Sequence, residues 1–169
     1  ILGAAANFFA AYIPYRIWYA VSSRRPDTKT WKNILLYIFC SLFGALTCAW
    51  ILAYGLDLFF GLWIPDIYKY VFMNNFGFSI ALGLPLFILV CSDSIKLPVY
   101  KPAFEKKFSL IPQKTVSVFL AAGIFLLGSI GILSQFDMHF SNSISVIIIS
   151  VLSALFVIGC ILLPIKKEK

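Results

Sequence analysis

Apolar residues in this chain come in long unbroken runs, and polar residues come in short bursts between them. The runs do not alternate with period two, so they read as continuous helices and not as strands of a barrel. A helix that crosses a bilayer needs roughly 20 mostly apolar residues. Five stretches meet that length: residues 1–21, 33–62, 70–91, 116–136 and 144–165. The second is long enough to tilt, or to end in a partly embedded stretch. The expected fold class is all-α, a polytopic membrane helical bundle, with residues 1–169 forming a single integral membrane domain.

Composition makes the solvent explicit. The chain is 61% hydrophobic and 12% charged, with a mean hydropathy of +0.93. Soluble domains carry about 25% charged residues. A core built from 169 residues has no room for this much Phe, Leu and Ile, so lipid must cover the rest. The four cysteines, Cys40, Cys48, Cys91 and Cys160, are far apart and mostly inside apolar runs. They read as small packing residues, with no metal spacing and no disulfide framework.

The net charge of +7 is a topology signal. Arg16, Arg24, Arg25, Lys29 and Lys32 flank the first connection. Lys96, Lys101, Lys106, Lys107 and Lys114 fall in the third, and three lysines close the chain. The connections "WIPDIYKY" and "FDMHFSNS" hold one lysine and two aspartates. Lys and Arg stay on the cytoplasmic side of a membrane. Loops 22–32 and 92–115 and the C-terminus are therefore expected in the cytoplasm, and Ile1 outside. An earlier helix is the simplest way to bring Ile1 there, so six helices are expected for the whole protein. The basic residues sit between spans and form no stripe with interleaved aromatics, which excludes nucleic acid as a partner.

Polar residues within the spans are the candidates for function. Asn74 and Asn75 lie in the outer third of the third span, followed by Gly77, Ser79 and Gly83, with Pro85 able to bend it. Adjacent residues point about 100° apart on a helix, so one amide can bond another helix while the other lines an outward cavity. Asp57 shares that outer depth, and a carboxylate in or near the bilayer calls for a cavity, an interface or a partner. Trp50 is the tryptophan placed mid-span, away from the interfacial belt. Asn7 sits in the thin start of the first helix. Ala45, Ala49 and Ala53 fall on one four-residue ridge with Asp57, and Ala6 and Ala10 repeat the spacing. Such ridges serve helix packing or a partner interface. Ser150 and Ser153 read as packing residues. His139 reads as a surface loop residue. No HExxH, GxSxG or phosphate-cradling glycine loop occurs, and no metal or other cofactor is implied. An enzyme is not expected.

The stretches "GAAANFFAAYIPYRIW" and "FMNNFGFSIALGLP", with Ala6-xxx-Ala10, resemble segments of the substrate-binding S components of energy-coupling factor vitamin transporters. The resemblance covers residues 1–85. It implies a six-helix membrane protein that binds a vitamin-like solute near the outer face. It also implies partners: a membrane coupling subunit and two ATPases, docked through alanine-rich helix faces. In that family the alanine motif belongs to a helix that starts in the cytoplasm, whereas the charges place Ile1 outside. Ala45-xxx-Ala49, or a helix upstream, could serve instead.

The leading expectation is thus a multi-pass protein of a bacterial cytoplasmic membrane that binds a small solute for uptake. Asn74, Asn75, Asp57, Trp50 and Asn7 are its candidate ligand contacts. Two other readings remain open: a membrane sensor or anchor of a signalling protein, and an accessory scaffold subunit of a larger complex.

Overall fold

The computed structural model describes residues 1–22, 26–64, 66–91 and 113–163. Among them every regular element is a helix: α1 (Leu2–Val21), α2 (Trp31–Phe60), α3 (Ile67–Val90), α4 (Gln113–Gln135) and α5 (Ile144–Leu162). The chain is an all-α helical bundle. Four helices, α2 to α5, are long and apolar enough to cross a membrane. α1 is the fifth helix of the expected bundle. α1 has the length, 20 residues, but Asn7, Arg16, Pro14 and three tyrosines dilute its apolar content. The expected end of the last span, residues 164 and 165, lies outside the described residues, as do Arg24, Arg25 and the lysines of 96–107 and of the tail.

α2 is the spine of the bundle, packing against α1, α3 and α4. Its contact with α1 follows from two residues. Pro14 has no N–H, so the carbonyl of Ala10, four residues earlier, loses its helical partner. Gly44 of α2 lies against that spot. A Cβ on Gly44 would stand 2.6 Å from the Ala10 oxygen and 3.0 Å from Pro14 Cγ. Ala6, Ala45, Ala49 and Ala53 are buried within the bundle, and Ala10 is half-buried. These small residues are therefore taken up inside the chain.

α2 stops where Gly61 turns left-handed (φ 62°). The Gly61 N–H donates to the Asp57 carbonyl at 2.9 Å and the Leu62 N–H to the Leu56 carbonyl at 3.2 Å. That is the Schellman closure of a helix end. α3 contains one wide turn, Ser79–Gly83, with the π-type spacing, immediately before Pro85. Tyr37 of α2 holds it: its hydroxyl donates to the Ser79 carbonyl at 3.0 Å. The same hydroxyl fills the space that a Cβ on Gly83 would need.

α4 and α5 interlock by aromatic rings set into glycines. Phe156 sits over Gly123, Phe119 over Gly159, and the two rings lie 4.8 Å apart. Phe156 also stacks on Phe43 of α2 at 5.6 Å, which joins the α4–α5 pair to the spine. One end of the bundle carries Arg16, Lys29, Lys32 and Lys114; there the Arg16 guanidinium donates to the Leu163 carbonyl. The other end carries Asp57, Asp66 and Asp137, with Lys69 paired to Asp66 at 2.7 Å. These are the basic and acidic ends.

Candidate functional site

Toward the acidic end, α1, α2 and α5 leave a cleft of about 490 Å³ between them. Small-molecule pockets commonly measure about 300–1,000 Å³. Leu2 of α1, Trp50, Tyr54 and Leu58 of α2, Ser150 of α5 and Phe140 of the connection before α5 are among its walls. Gly55 lets α1 close one side, since a Cβ there would meet Leu2 Cδ1 at 2.7 Å.

The surface of the cleft is almost entirely hydrocarbon. Trp50 Nε1 and Ser150 Oγ are buried and have no hydrogen-bond partner among the described residues. Ser150 is only 5% exposed. The helices α2 and α5 run antiparallel, and Phe43 faces Phe156. Thr47 Oγ1 and Ser153 Oγ are likewise buried without partners. An unpaired polar group in an apolar setting costs about 1–3 kcal/mol. Ser and Thr hydroxyls can relieve this by turning onto a carbonyl of their own helix. An indole N–H in mid-helix has no such recourse, and its acceptor must come from outside α2.

The acidic end of the cleft is closed by the connection 136–143. The Phe140 backbone N–H donates to Asp57 Oδ2 at 2.7 Å, and its ring meets Tyr54 edge-on at 5.7 Å. Asp57 is 8% exposed at its side chain, with His139 Nδ1 3.6 Å from its other oxygen. Trp63 stacks on the His139 ring at 5.3 Å and donates through Nε1 to Asp137 Oδ1 at 2.5 Å. Asn142 bridges the same turn, accepting from the His139 N–H and donating to the Asp137 carbonyl. Tyr54 is held from beneath, its hydroxyl shared between the Ile130 and Met138 carbonyls at 3.1 and 3.2 Å. The Asp57 bond and the Tyr54 ring contact hold Phe140 in this cap.

Among the described residues no carboxylate, amine or imidazole lines the cleft. Among the described residues no three His, Cys, Asp or Glu side chains come together as a metal site. The arrangement suits binding of a largely apolar molecule.

The structure separates the five candidate ligand residues. Trp50 lines the cleft, and Asp57 stands behind its cap. Asn75 donates to the Val71 carbonyl of its own helix at 2.9 Å. Asn74 and Asn7 are exposed on α3 and α1. None of the three asparagines lines the cleft. Ser150, Tyr54 and Phe140 enter from outside that set. Ser150 had one visible signal, a hydroxyl inside the run "VIIISVL", but only the packing of α5 places it beside the cleft.

No family model matches the chain, and no curated protein or solved structure matches it.

Proposed function

We propose that this chain is the membrane-embedded binding component of a small-solute uptake system, and that its site is the cleft between α1, α2 and α5. It is no enzyme. The observation that supports this most is the apolar cleft itself, with Trp50 Nε1 and Ser150 Oγ buried beside it and without a partner among the described residues. A stable fold completes such groups with a ligand or leaves them at a cost.

The charge distribution supports a bacterial cytoplasmic membrane protein with its acidic end outside and its basic end, with the C-terminus, in the cytoplasm. The cleft then opens in the outer half of the bilayer, where a solute arrives. Resemblance to the S components rests on the two stretches of α1 and α3 quoted above, and a coupling subunit with ATPases would be the matching partners.

A scaffold role is favoured by one further observation. Gly3, Ala4, Asn7 and Ala11 of α1 are all exposed, a thin polar-bearing face that would admit a neighbouring membrane helix.

Mass spectrometry of the gently purified protein separates the two. A binding component carries a small molecule of discrete mass in stoichiometric amount. Partner chains without any small molecule would overturn the binding role in favour of the scaffold.

A further inference from the structure

We propose that this chain pairs with a second copy of itself along the outward face of α3, amide to amide at Asn74.

α3 is the least covered helix of the bundle. Of its 24 residues only Tyr68 is buried. It packs mainly on α2. Its outward face carries Tyr70, Asn74, Gly77 and Ala81, all exposed. Their spacing of four, three and four residues is the heptad spacing of a helix-pairing seam. The seam starts near the acidic end and reaches the wide turn Ser79–Gly83.

Lipid could cover the rest of this face, but it cannot serve Asn74. The residue lies seven positions past Ile67, which is about 10 Å along the helix axis. A 24-residue helix is about 36 Å long and overshoots a hydrocarbon core of about 30 Å by about 3 Å at each end. Asn74 is therefore about 7 Å inside the hydrocarbon. Its amide offers two donors and an acceptor. Asn75 beside it turns back onto the Val71 carbonyl at 2.9 Å, whereas Asn74 points outward with no hydrogen-bond partner among the described residues. Hydrocarbon supplies none either.

A second copy fits this group better than any other cover. An amide is complementary to itself, donor to carbonyl in both directions. Every copy of the chain inserts in the same sense, so Asn74 of a neighbour stands at the same depth without adjustment. Two-fold pairing then satisfies both amides and closes after two copies. A single asparagine on a heptad seam fixes register and strand number in the same way. Gly77, one turn deeper, lets the axes approach. A Cβ there would meet nothing within 4 Å, whereas at Gly44 and Gly123 the chain's own atoms fill the space. Within one copy, Gly77 makes room for nothing. No residue of α3 lines the cleft, so the pairing stands or falls independently of what the cleft binds.

Cross-linking of the full chain in membranes reads the contact. Tyr70→Cys should form a disulfide-linked dimer on oxidation with copper phenanthroline, and Ile144→Cys, also exposed at the acidic end, should not. Förster transfer between copies labelled at the C-terminus gives the dissociation constant in vesicles. Asn74→Leu should raise it about five- to thirtyfold, and Asn74→Gln should keep most of the affinity. Gly77→Leu should raise it about tenfold or more. Thermal unfolding of the Gly77→Leu monomer in detergent should stay level or rise, because leucine favours a helix more than glycine does. A fall there would assign Gly77 to the fold of one copy and overturn its place in the seam. A monomer at every protein density, a dimer unmoved by Asn74→Leu and Gly77→Leu, or equal cross-linking at Ile144→Cys would each overturn the pairing. Tyr70→Cys that links only to Gly3→Cys on α1 would show head-to-tail contacts and overturn the two-fold. Linkage to a different membrane chain would overturn the second copy as the occupant.

Discussion

At the residue scale, the decisive difference between polar groups is whether each has a partner of its own. Asn75 satisfies its amide within its own helix, and Asn74 and Asn7 lie on outer faces. Trp50 Nε1 has no hydrogen-bond partner among the described residues. The sequence pattern made Trp50 visible, since a mid-span indole is out of place beside the interfacial aromatic belts. It also drew attention to the asparagine pair, because an amide in an apolar run is conspicuous. Whether an amide bonds back to its own turn depends on a rotamer, and no spacing rule encodes that. Asp57 was visible as a carboxylate near the bilayer, but its use was not: it anchors a backbone N–H 83 positions away. Asp57→Ala leaves that N–H unpaired, and the lost charge-assisted bond should cost about 1.5–3 kcal/mol. Thermal unfolding in detergent should shift down, and amide exchange should rise first in residues 138–142. Unchanged exchange there would mean the cap is held by something else.

At the scale of elements, the apolar runs located all five helices, with ends displaced by a few residues. Those ends are set by chemistry that hydropathy does not weigh. Gly61 closes α2 by its left-handed backbone, and Trp31 belongs to the first turn of α2 although its ring is exposed. The wide turn in α3 was legible only as a proline with glycines before it. Its cause lies on α2, where Tyr37 presses its hydroxyl against Gly83 and bonds Ser79. Gly83→Ala should therefore expel the Tyr37 hydroxyl and destabilise the protein by about 1–3 kcal/mol, and Tyr37→Phe in the same chain should recover part of that loss. No loss in the single variant would show that the turn does not depend on this contact. Gly44→Ala tests the α1–α2 seam in the same way. A Cβ meeting the freed Ala10 carbonyl should lower stability by a similar amount, about 1–3 kcal/mol, again read by thermal unfolding.

At the scale of the whole molecule, the bundle has a basic and an acidic end because antiparallel helices bring alternate connections together. The orientation proposed from those charges is open to cysteine labelling. Ser141→Cys, in the exposed acidic-end connection, should react with a membrane-impermeant maleimide in intact cells. Lys32→Cys at the basic end should react only after permeabilisation. The opposite pattern would invert the protein and place the cleft in the cytoplasmic half of the bilayer. The native cysteines offer little background among the described residues, since Cys40, Cys48 and Cys160 are buried and Cys91 is half-buried.

The most direct measurement is native mass spectrometry of the protein released from nanodiscs, comparing the unsubstituted chain with Trp50→Phe, Ser150→Ala and, as a control, Trp31→Phe at an exposed position away from the cleft. The unsubstituted chain and the Trp31→Phe control should retain one small-molecule adduct of the same mass, and both cleft variants should lose most of it. A bare chain in every sample, or an adduct retained equally by all four, would contradict a ligand held by Trp50 and Ser150.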